Sequence, residues 1–380
     1  MNAPFTDLPE FSIGKPVRRS EDPALVQGKG RYSDDVSLAN QAFGVVVRSR
    51  YAHGRIRGID SSAARAMPGV LAIYAAADLA AYHPQKSPFS LKSADGSPMR
   101  ANGTMFFARD KVRYVGDPIA LVVAESEALA REAAEAVEVD VEPLPAVVDP
   151  RAATAPGAPL VYDDTPDNTV VDHRLGDSAK VAEAFAGAKW VAKLHLVNNR
   201  LVVAAMEPRA ALFEYDEKTE RFTAHMQTQG VFGMRNNLAA AMGVPQDKMR
   251  VITGQVGGSF GMKGSVFPEY IALLHAARDL KRPVKWSEQR AESFVSDHQG
   301  RDHEIDAELA LDAEGRFLAL RMNGYGNLGA YLTPFGVLIA AMNIHRNAQS
   351  VYRTPLIETN VRCVVTNTPP IGAYRGAGRP

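Results

Sequence analysis

Apolar residues cluster at strand-like spacing in three places near the start of the chain. Ala42–Val47, Val70–Tyr74 and Pro118–Val123 predict strands. Ser126 stands where a helix N-cap is needed, and Glu127 and Glu132 flank an Ala-rich apolar stripe. The pattern predicts a helix from Ser126 through Ala136, followed at once by a strand over Val137–Val141. Further on, strands are predicted over Trp190–Val197, Ala210–Tyr215, Phe222–Gln227 and Met249–Thr253. Helices are predicted over Val231–Met242, stopped by Gly243-Val244-Pro245, and Pro268–Leu280, stopped by Lys281-Arg282-Pro283. His303–Leu311 and Arg316–Tyr325, joined by Asp312-Ala313-Glu314-Gly315, predict a hairpin, and Val361–Val365 a late strand. The fold class is α+β.

A stretch rich in Pro, Ala and Asp, Glu142 to Asn168, carries no amphipathic period and marks a boundary. The expected organisation is a polar leader at 1–20, a first domain at 21–149, a linker at 150–168 and a second domain at 169–380. A chain of 380 residues calls for more than one core, because single cores stop growing at about 250–300 residues.

Net charge is zero and no basic block is present, so a nucleic-acid partner is not expected. No apolar run approaches the roughly 18 residues a bilayer span needs. The N-terminus lacks the basic start and apolar core of a secretory signal. These features predict a soluble, cytoplasmic protein. Cys363 is the single cysteine, which excludes an intrachain disulfide and any zinc or iron–sulfur centre held by several cysteines of this chain. It lies in the strand pattern Val-Arg-Cys-Val-Val-Thr, where a buried core thiol is the expectation.

Candidate chemistry gathers in five segments. In Met249 to Gly264 a strand runs into Gly257-Gly258-Ser259-Phe260-Gly261. Glycines there let a backbone approach a ligand or simply make a tight turn. The spacing is neither a dinucleotide fingerprint nor a phosphate-cradling loop, but a Phe between glycines has little to pack on locally. In His225 to Phe232 a strand delivers Gln227 and Gln229 to a helix start, either as solvated amides or as donors to an oxo or carbonyl group. Glu207 and Arg209 flank Pro208 as a structural charge pair. His298 and His303 are spaced poorly for a metal pair on one helix face. Arg375, between Tyr374 and Gly376, is either a cation for an oxyanion or an ion-pair anchor.

Five motifs occur in order: "RRSEDPALVQGKGRYSDDV", "MQTQG", "GVPQDKMRVITGQVGGSFGMK", "RPVKWSEQRAESF" and "GAYRGAGRP". With them the chain resembles the molybdenum-binding large subunit of the xanthine dehydrogenase/aldehyde oxidase family, especially the carbon monoxide dehydrogenase-like group. The resemblance covers nearly the whole chain. It implies an α/β hammerhead domain followed by the first molybdopterin-binding domain, ending before the second. Family members are about twice as long, and their second domain carries most pterin contacts and the glutamate base. No catalytic base is therefore expected here.

The resemblance implies hydroxylation of an aldehyde or N-heterocycle with water-derived oxygen. It implies molybdopterin cytosine dinucleotide with molybdenum, a partner chain carrying the second molybdopterin domain, and iron–sulfur and FAD subunits that take the electrons. It places Gln229 near an oxo ligand, as the oxyanion-side donor. Gly258, Ser259, Phe260 and Gly261 fall on the Gly-Gly-Phe-Gly loop, with Phe260 at the metal and Ser259 in place of a usual glycine. Arg375 falls on the arginine whose backbone also lies near the metal. Departures narrow the substrate. The glutamate of xanthine enzymes is Gly264 here, their purine-binding arginine Asn343, and their stacking phenylalanine Ala377. The copper-binding cysteine of carbon monoxide dehydrogenases is Gly376. Neither xanthine nor carbon monoxide is then an expected substrate. The alternative is a non-catalytic half or truncated fragment that binds no cofactor alone.

Overall fold

The alternating pattern of the first third of the chain builds a sheet that the second half completes. The structure is a computed structural model that describes residues 13–14, 18–100 and 105–377. Most of the 1–20 leader and Gly378-Arg379-Pro380 thus lie outside the described residues. In chain order the strands are β1 (Ala42–Arg48), β2 (Gly54–Asp60), β3 (Val70–Ala75), β4 (Lys111–Val112), β5 (Pro118–Ala124), β6 (Glu138–Pro143), β7 (Thr169–Leu175) and β8 (Trp190–Asn198). Then come β9 (Ala210–Asp216), β10 (Arg221–Met226), β11 (Met249–Ile252), β12 (Val284–Ser287), β13 (His303–Leu311), β14 (Phe317–Asn327) and β15 (Leu356–Val364).

They form a seven-stranded sheet in the order β11-β10-β9-β12-β1-β5-β3, a five-stranded sheet β7-β15-β14-β13-β8 and a three-stranded sheet β4-β2-β6. The large sheet is mixed: β1 pairs parallel with β12 and antiparallel with β5, while β10 pairs parallel with β11. Strand β5 is buried along its full length because both of its faces are covered. Ala120 and Val122 share a core with Ala133 and Ala134 of helix Glu127–Glu135. Leu121 and Val123 face the opposite side, in a core with Ile271, Leu273 and Leu274 of helix Pro268–Asp279. The two-residue period of a strand therefore assigns one β5 face to each layer. Helix Glu127–Glu135 starts where its cap predicts, with Ser126 Oγ accepting from Leu129 N.

Strands from both sides of the 150–168 segment share the large sheet, so the two parts of the chain are stitched by β1 and β12. That segment is itself packed. Ala153 and Val161 sit in a core with Val361 and Cys363. Asn168 is fully buried; its Nδ2 donates to Ala153 O and Pro159 O, and its Oδ1 accepts from Val161 N, all at 2.9 Å. Burial pushes the Cys363 thiol up to about 12, so it is an inert core group.

In the five-stranded sheet β8 pairs with β13 along all nine residues and is exposed throughout, with Trp190, Leu194 and Val197 each about three-fifths open. Among the described residues no strand pairs with its outer edge. No helix of the described residues is long and apolar enough to cross a membrane.

Candidate functional site

The site is assembled where β10 and β11, parallel neighbours, release the chain at the same end of the sheet. After β10 the backbone passes through Gln227, Thr228, Gln229 and Gly230 into helix Val231–Met242. The two glutamines have opposite fates. Gln227 is fully buried. Its Oε1 accepts from Ala210 N at 2.9 Å, and its Nε2 donates to Glu207 Oε1 at 2.9 Å and Pro208 O at 3.1 Å. All of its donors have partners inside the protein, which corrects the expectation of a solvated amide at a strand end: β10 stops at Met226, and the turn rotates Gln227 inward. Gln229 is exposed, and its Oε1 accepts from Ser259 Oγ at 2.7 Å.

The glycine segment after β11 is braced from beneath. Glu207 Oε2 accepts from Gly257 N at 2.7 Å, and Glu207 N donates to Gly257 O at 3.1 Å. Lys263, only 1% exposed, donates from Nζ to Glu207 O at 2.7 Å and to Glu207 Oε2 at 3.1 Å. Burial lowers the Lys263 pKa, and Glu207 opposes that by stabilising the ammonium. Glu207 and Lys263 thus hold both ends of the loop, a role that sequence spacing alone does not reveal. Within it Gly258, Phe260 and Gly261 all adopt positive φ, at 101°, 51° and 105°. For Phe260 this left-handed backbone is costly. Its ring is 40% exposed instead of buried. The loop therefore spends conformational energy to present an aromatic ring.

The arginine loop closes on this surface. A Cβ built on Gly261 would stand 2.5 Å from Ala373 O, so the two loops touch backbone to backbone. Gly372 N donates to Gln299 O at 2.8 Å. Arg301 Nη2 donates to Arg375 O at 2.8 Å, and its guanidinium lies 5.2 Å from the Tyr374 ring centroid. Arg375 itself is exposed. Gln229, the Gly258–Gly261 turn and the Arg375 loop, predicted from three distant segments, are thus brought to one place.

Below them lies a buried ionic network. Arg209, fully buried, donates from Nε to Asp297 at 2.6 Å, from Nη2 to Glu288 at 2.6 Å, and from Nη1 to Glu269 at 3.3 Å. Its guanidinium stacks 3.8 Å from the Phe267 ring centroid. Arg48 bonds Glu269 and Glu292, each at 2.6 Å. Burial alone would raise the Glu269 carboxyl, but Arg209 and Arg48 outweigh it and bring it down to about 2. Burial pushes Asp297 up to about 6 against the pull of Arg209. Arg209 is structural, as the sequence suggests, but its carboxylate partners come from residues 269, 288 and 297 and not from Glu207.

His298 packs on Phe267, with centroids 4.4 Å apart, and its buried Nδ1 has no hydrogen-bond partner among the described residues. Burial, then Arg209, lower its pKa to about 4. His303 lies separately, on β13. Asn343 is buried at the start of helix Asn343–Ala348, directly after a π-helical turn, Leu338–Met342.

An oxygen-rich, anionic group fits these residues. The Gln229 amide is exposed at the loop, Arg375 is exposed on the adjoining loop, and Glu207, a carboxylate touching the glycine loop, is consumed by Gly257, Lys263 and Gln227. The glycine backbone lets such a group approach closely.

Residues 161–380 match the family model of the molybdopterin cofactor-binding domain, and residues 27–145 that of the aldehyde oxidase and xanthine dehydrogenase a/b hammerhead domain. The nicotine 6-hydroxylase large subunit of Paenarthrobacter nicotinovorans is 35% identical over 373 residues, spanning 96% of this chain and 44% of its own. The carbon monoxide dehydrogenase large chain of Hydrogenophaga pseudoflava is 30% identical over 393 residues, 99% of this chain and 48% of its own. The crystal structure of quinoline 2-oxidoreductase from Pseudomonas putida 86 superposes with a TM-score of 0.87 at 31% identity, covering 98% of this chain and 47% of that one. The chain spans about half the length of the curated relatives it matches.

Proposed function

The chain belongs to the molybdenum-binding large subunits of the xanthine dehydrogenase/aldehyde oxidase family, and we propose that it forms one wall of a hydroxylase site for an aldehyde or N-heterocycle. The observation that carries this reading is the convergence of the Gln229 amide, the exposed Phe260 ring and the Arg375 loop on one surface.

When bound, molybdopterin cytosine dinucleotide would supply a two-electron molybdenum centre able to hydroxylate carbon with water-derived oxygen. Gln229, Gly258, Ser259, Phe260, Gly261 and Arg375 would line it. The Gln229 amide donates toward an oxygen that gains charge during reaction, and Phe260 excludes water from the same face. The glutamate base is assigned to the part of the relatives' length that this chain does not span. Electrons leave through iron–sulfur and FAD subunits, since a chain with the single thiol Cys363 cannot ligate a cluster.

Two features favour a substrate other than xanthine or carbon monoxide. A Cβ built on Gly264 would lie 3.9 Å from Gln229 Oε1, so a longer side chain there would reach the site, and glycine leaves the space open. Gly376, which adopts φ of 80°, offers no thiolate for copper.

The test is metal and pterin analysis of the protein purified with its natural complex, followed by assays with quinoline, nicotine, benzaldehyde, xanthine and carbon monoxide. Molybdenum and a cytosine dinucleotide, with turnover confined to the first three, are expected. A complex with no molybdenum, turnover of xanthine or bound copper would overturn the reading.

A further inference from the structure

Ser259 stands at the meeting point of two hydrogen bonds. Its Oγ accepts from Lys263 N at 3.1 Å and donates to Gln229 Oε1 at 2.7 Å. Only 9% of the residue is exposed, so its hydroxyl proton needs an acceptor within the protein, and Gln229 Oε1 is its acceptor among the described residues. The chain of bonds is directional. The Lys263 N–H occupies the hydroxyl oxygen, the hydroxyl proton occupies the amide oxygen, and the amide nitrogen is left as the outward group. An exposed glutamine otherwise samples many rotamers and both amide orientations. This one is held in place by a loop that is itself braced through Lys263 Nζ and Glu207.

We propose that Ser259 is a positioning residue that fixes the Gln229 side chain with its NH2 facing the open side of the glycine loop, toward an acceptor oxygen of the bound group. The functional half of this inference rests on the reading above; the structural half does not. Without the hydroxyl, Gln229 keeps its chemistry but loses its aim. A misaimed donor affects rate more than affinity, because alignment counts most where charge develops.

The experiment has two readouts. With 15N-glutamine labelling of the full chain, the side-chain NH2 signals of Gln229 and Gln227 are assigned by Gln→Glu substitution and their relaxation is measured. In wild type both pairs are expected to be rigid. In Ser259→Ala the Gln229 pair becomes mobile while Gln227, anchored by its own three bonds, stays rigid and reports an intact fold. Ser259→Thr, which keeps a hydroxyl, restores Gln229. An unchanged Gln229 signal in Ser259→Ala overturns the inference. In the molybdenum-loaded complex, Ser259→Ala is expected to lower kcat about tenfold with KM little changed, and Ser259→Thr to recover it. Loss of Gln229 order with full kcat also overturns it. If Gln229→Ala itself leaves kcat intact, the proposed function fails instead, and the relaxation result still decides the structural half.

Discussion

Nε of Arg209 lies 2.6 Å from Oδ1 of Asp297, and neither side chain reaches solvent. The same guanidinium serves Glu288 and Glu269, so removing it takes the bonded cation from Asp297 and Glu288 and leaves Glu269 with Arg48. Breaking a buried pair costs more than the pair contributes, because the survivor stays uncompensated. Arg209→Leu is expected to cost about 3–5 kcal/mol. Arg209→Lys recovers only part, since an ammonium cannot fork to three acceptors and stack on Phe267. Urea midpoints of the three proteins at pH 7 check this; equal midpoints for wild type and Arg209→Leu would refute it.

His298 makes the fold sensitive to mild acid. Its folded pKa of about 4 lies below the unfolded value. The neutral ring therefore favours folding fully above pH 6.5, and that contribution drains as pH falls through 6.5 toward 4. Asp297 works in the opposite sense. Its folded value of about 6 is raised, so its contribution is full below the unfolded carboxyl value and is lost as pH rises toward 6. The two partly cancel between pH 4 and 6, which masks both in wild type. His298→Asn removes one side of the balance. Its unfolding free energy, relative to wild type, should rise by about 2 kcal/mol between pH 7 and pH 5, following 1.36 kcal/mol per pKa unit. A difference that does not vary with pH would show that His298 is not held neutral.

In a loaded complex, Gln229→Ala should lower kcat by about 10²–10³-fold, the usual loss for a preorganised donor to a developing oxyanion. KM should change much less. Thermal stability should hold, because Gln229 is exposed and its bond to Ser259 is peripheral to the core. Steady-state kinetics at full molybdenum content decide it. Gln227→Ala is expected to act differently, lowering stability by taking the Gln227 partner from Glu207 Oε1 and from the buried Ala210 N, so the two glutamines separate a rate defect from a folding defect.

Gly261→Ala tests the contact between the loops. The added methyl would need φ of 105° and would meet Ala373 O at 2.5 Å. The glycine turn must then move off the arginine loop. Molybdenum and pterin content of the purified complex should fall at least several-fold while far-UV circular dichroism stays native. Full cofactor content in this variant would show that the contact is not needed.

Regular elements were legible wherever the local pattern was strong. Helix Val231–Met242 has the predicted bounds, ending at Gly243 in the left-handed conformation that only a residue without Cβ adopts freely. Strand β7, Thr-Val-Val-Asp-His-Arg-Leu, was not, because only its first half is buried and its polar half reads as loop. Strand β12 is four residues long, and its place comes from pairing with β1 and β9 and not from its own pattern. At the site, Gln229, Phe260 and Arg375 were visible as motif positions. Which of the two glutamines faces outward was open to local reading until the turn after Met226 set the orientation. The brace of Glu207 and Lys263 was hidden, since it links residues whose contact exists only after β10 and β11 align.

The parallel pairing of Ala42 with Val284 also sets a timetable. During synthesis β1, β3 and β5 emerge early and can pair among themselves, but the outer edge of β1 stays open until the ribosome has delivered β12. Nor can β5 bury its second face before helix Pro268–Asp279 exists. The early strands are thus translated long before their layer can close, with an apolar face and a free edge exposed. Closure of so large a loop places completion of the sheet late and slow on the folding path. Chains truncated before residue 284 should depend more on chaperones to stay in solution than the full 380-residue chain does.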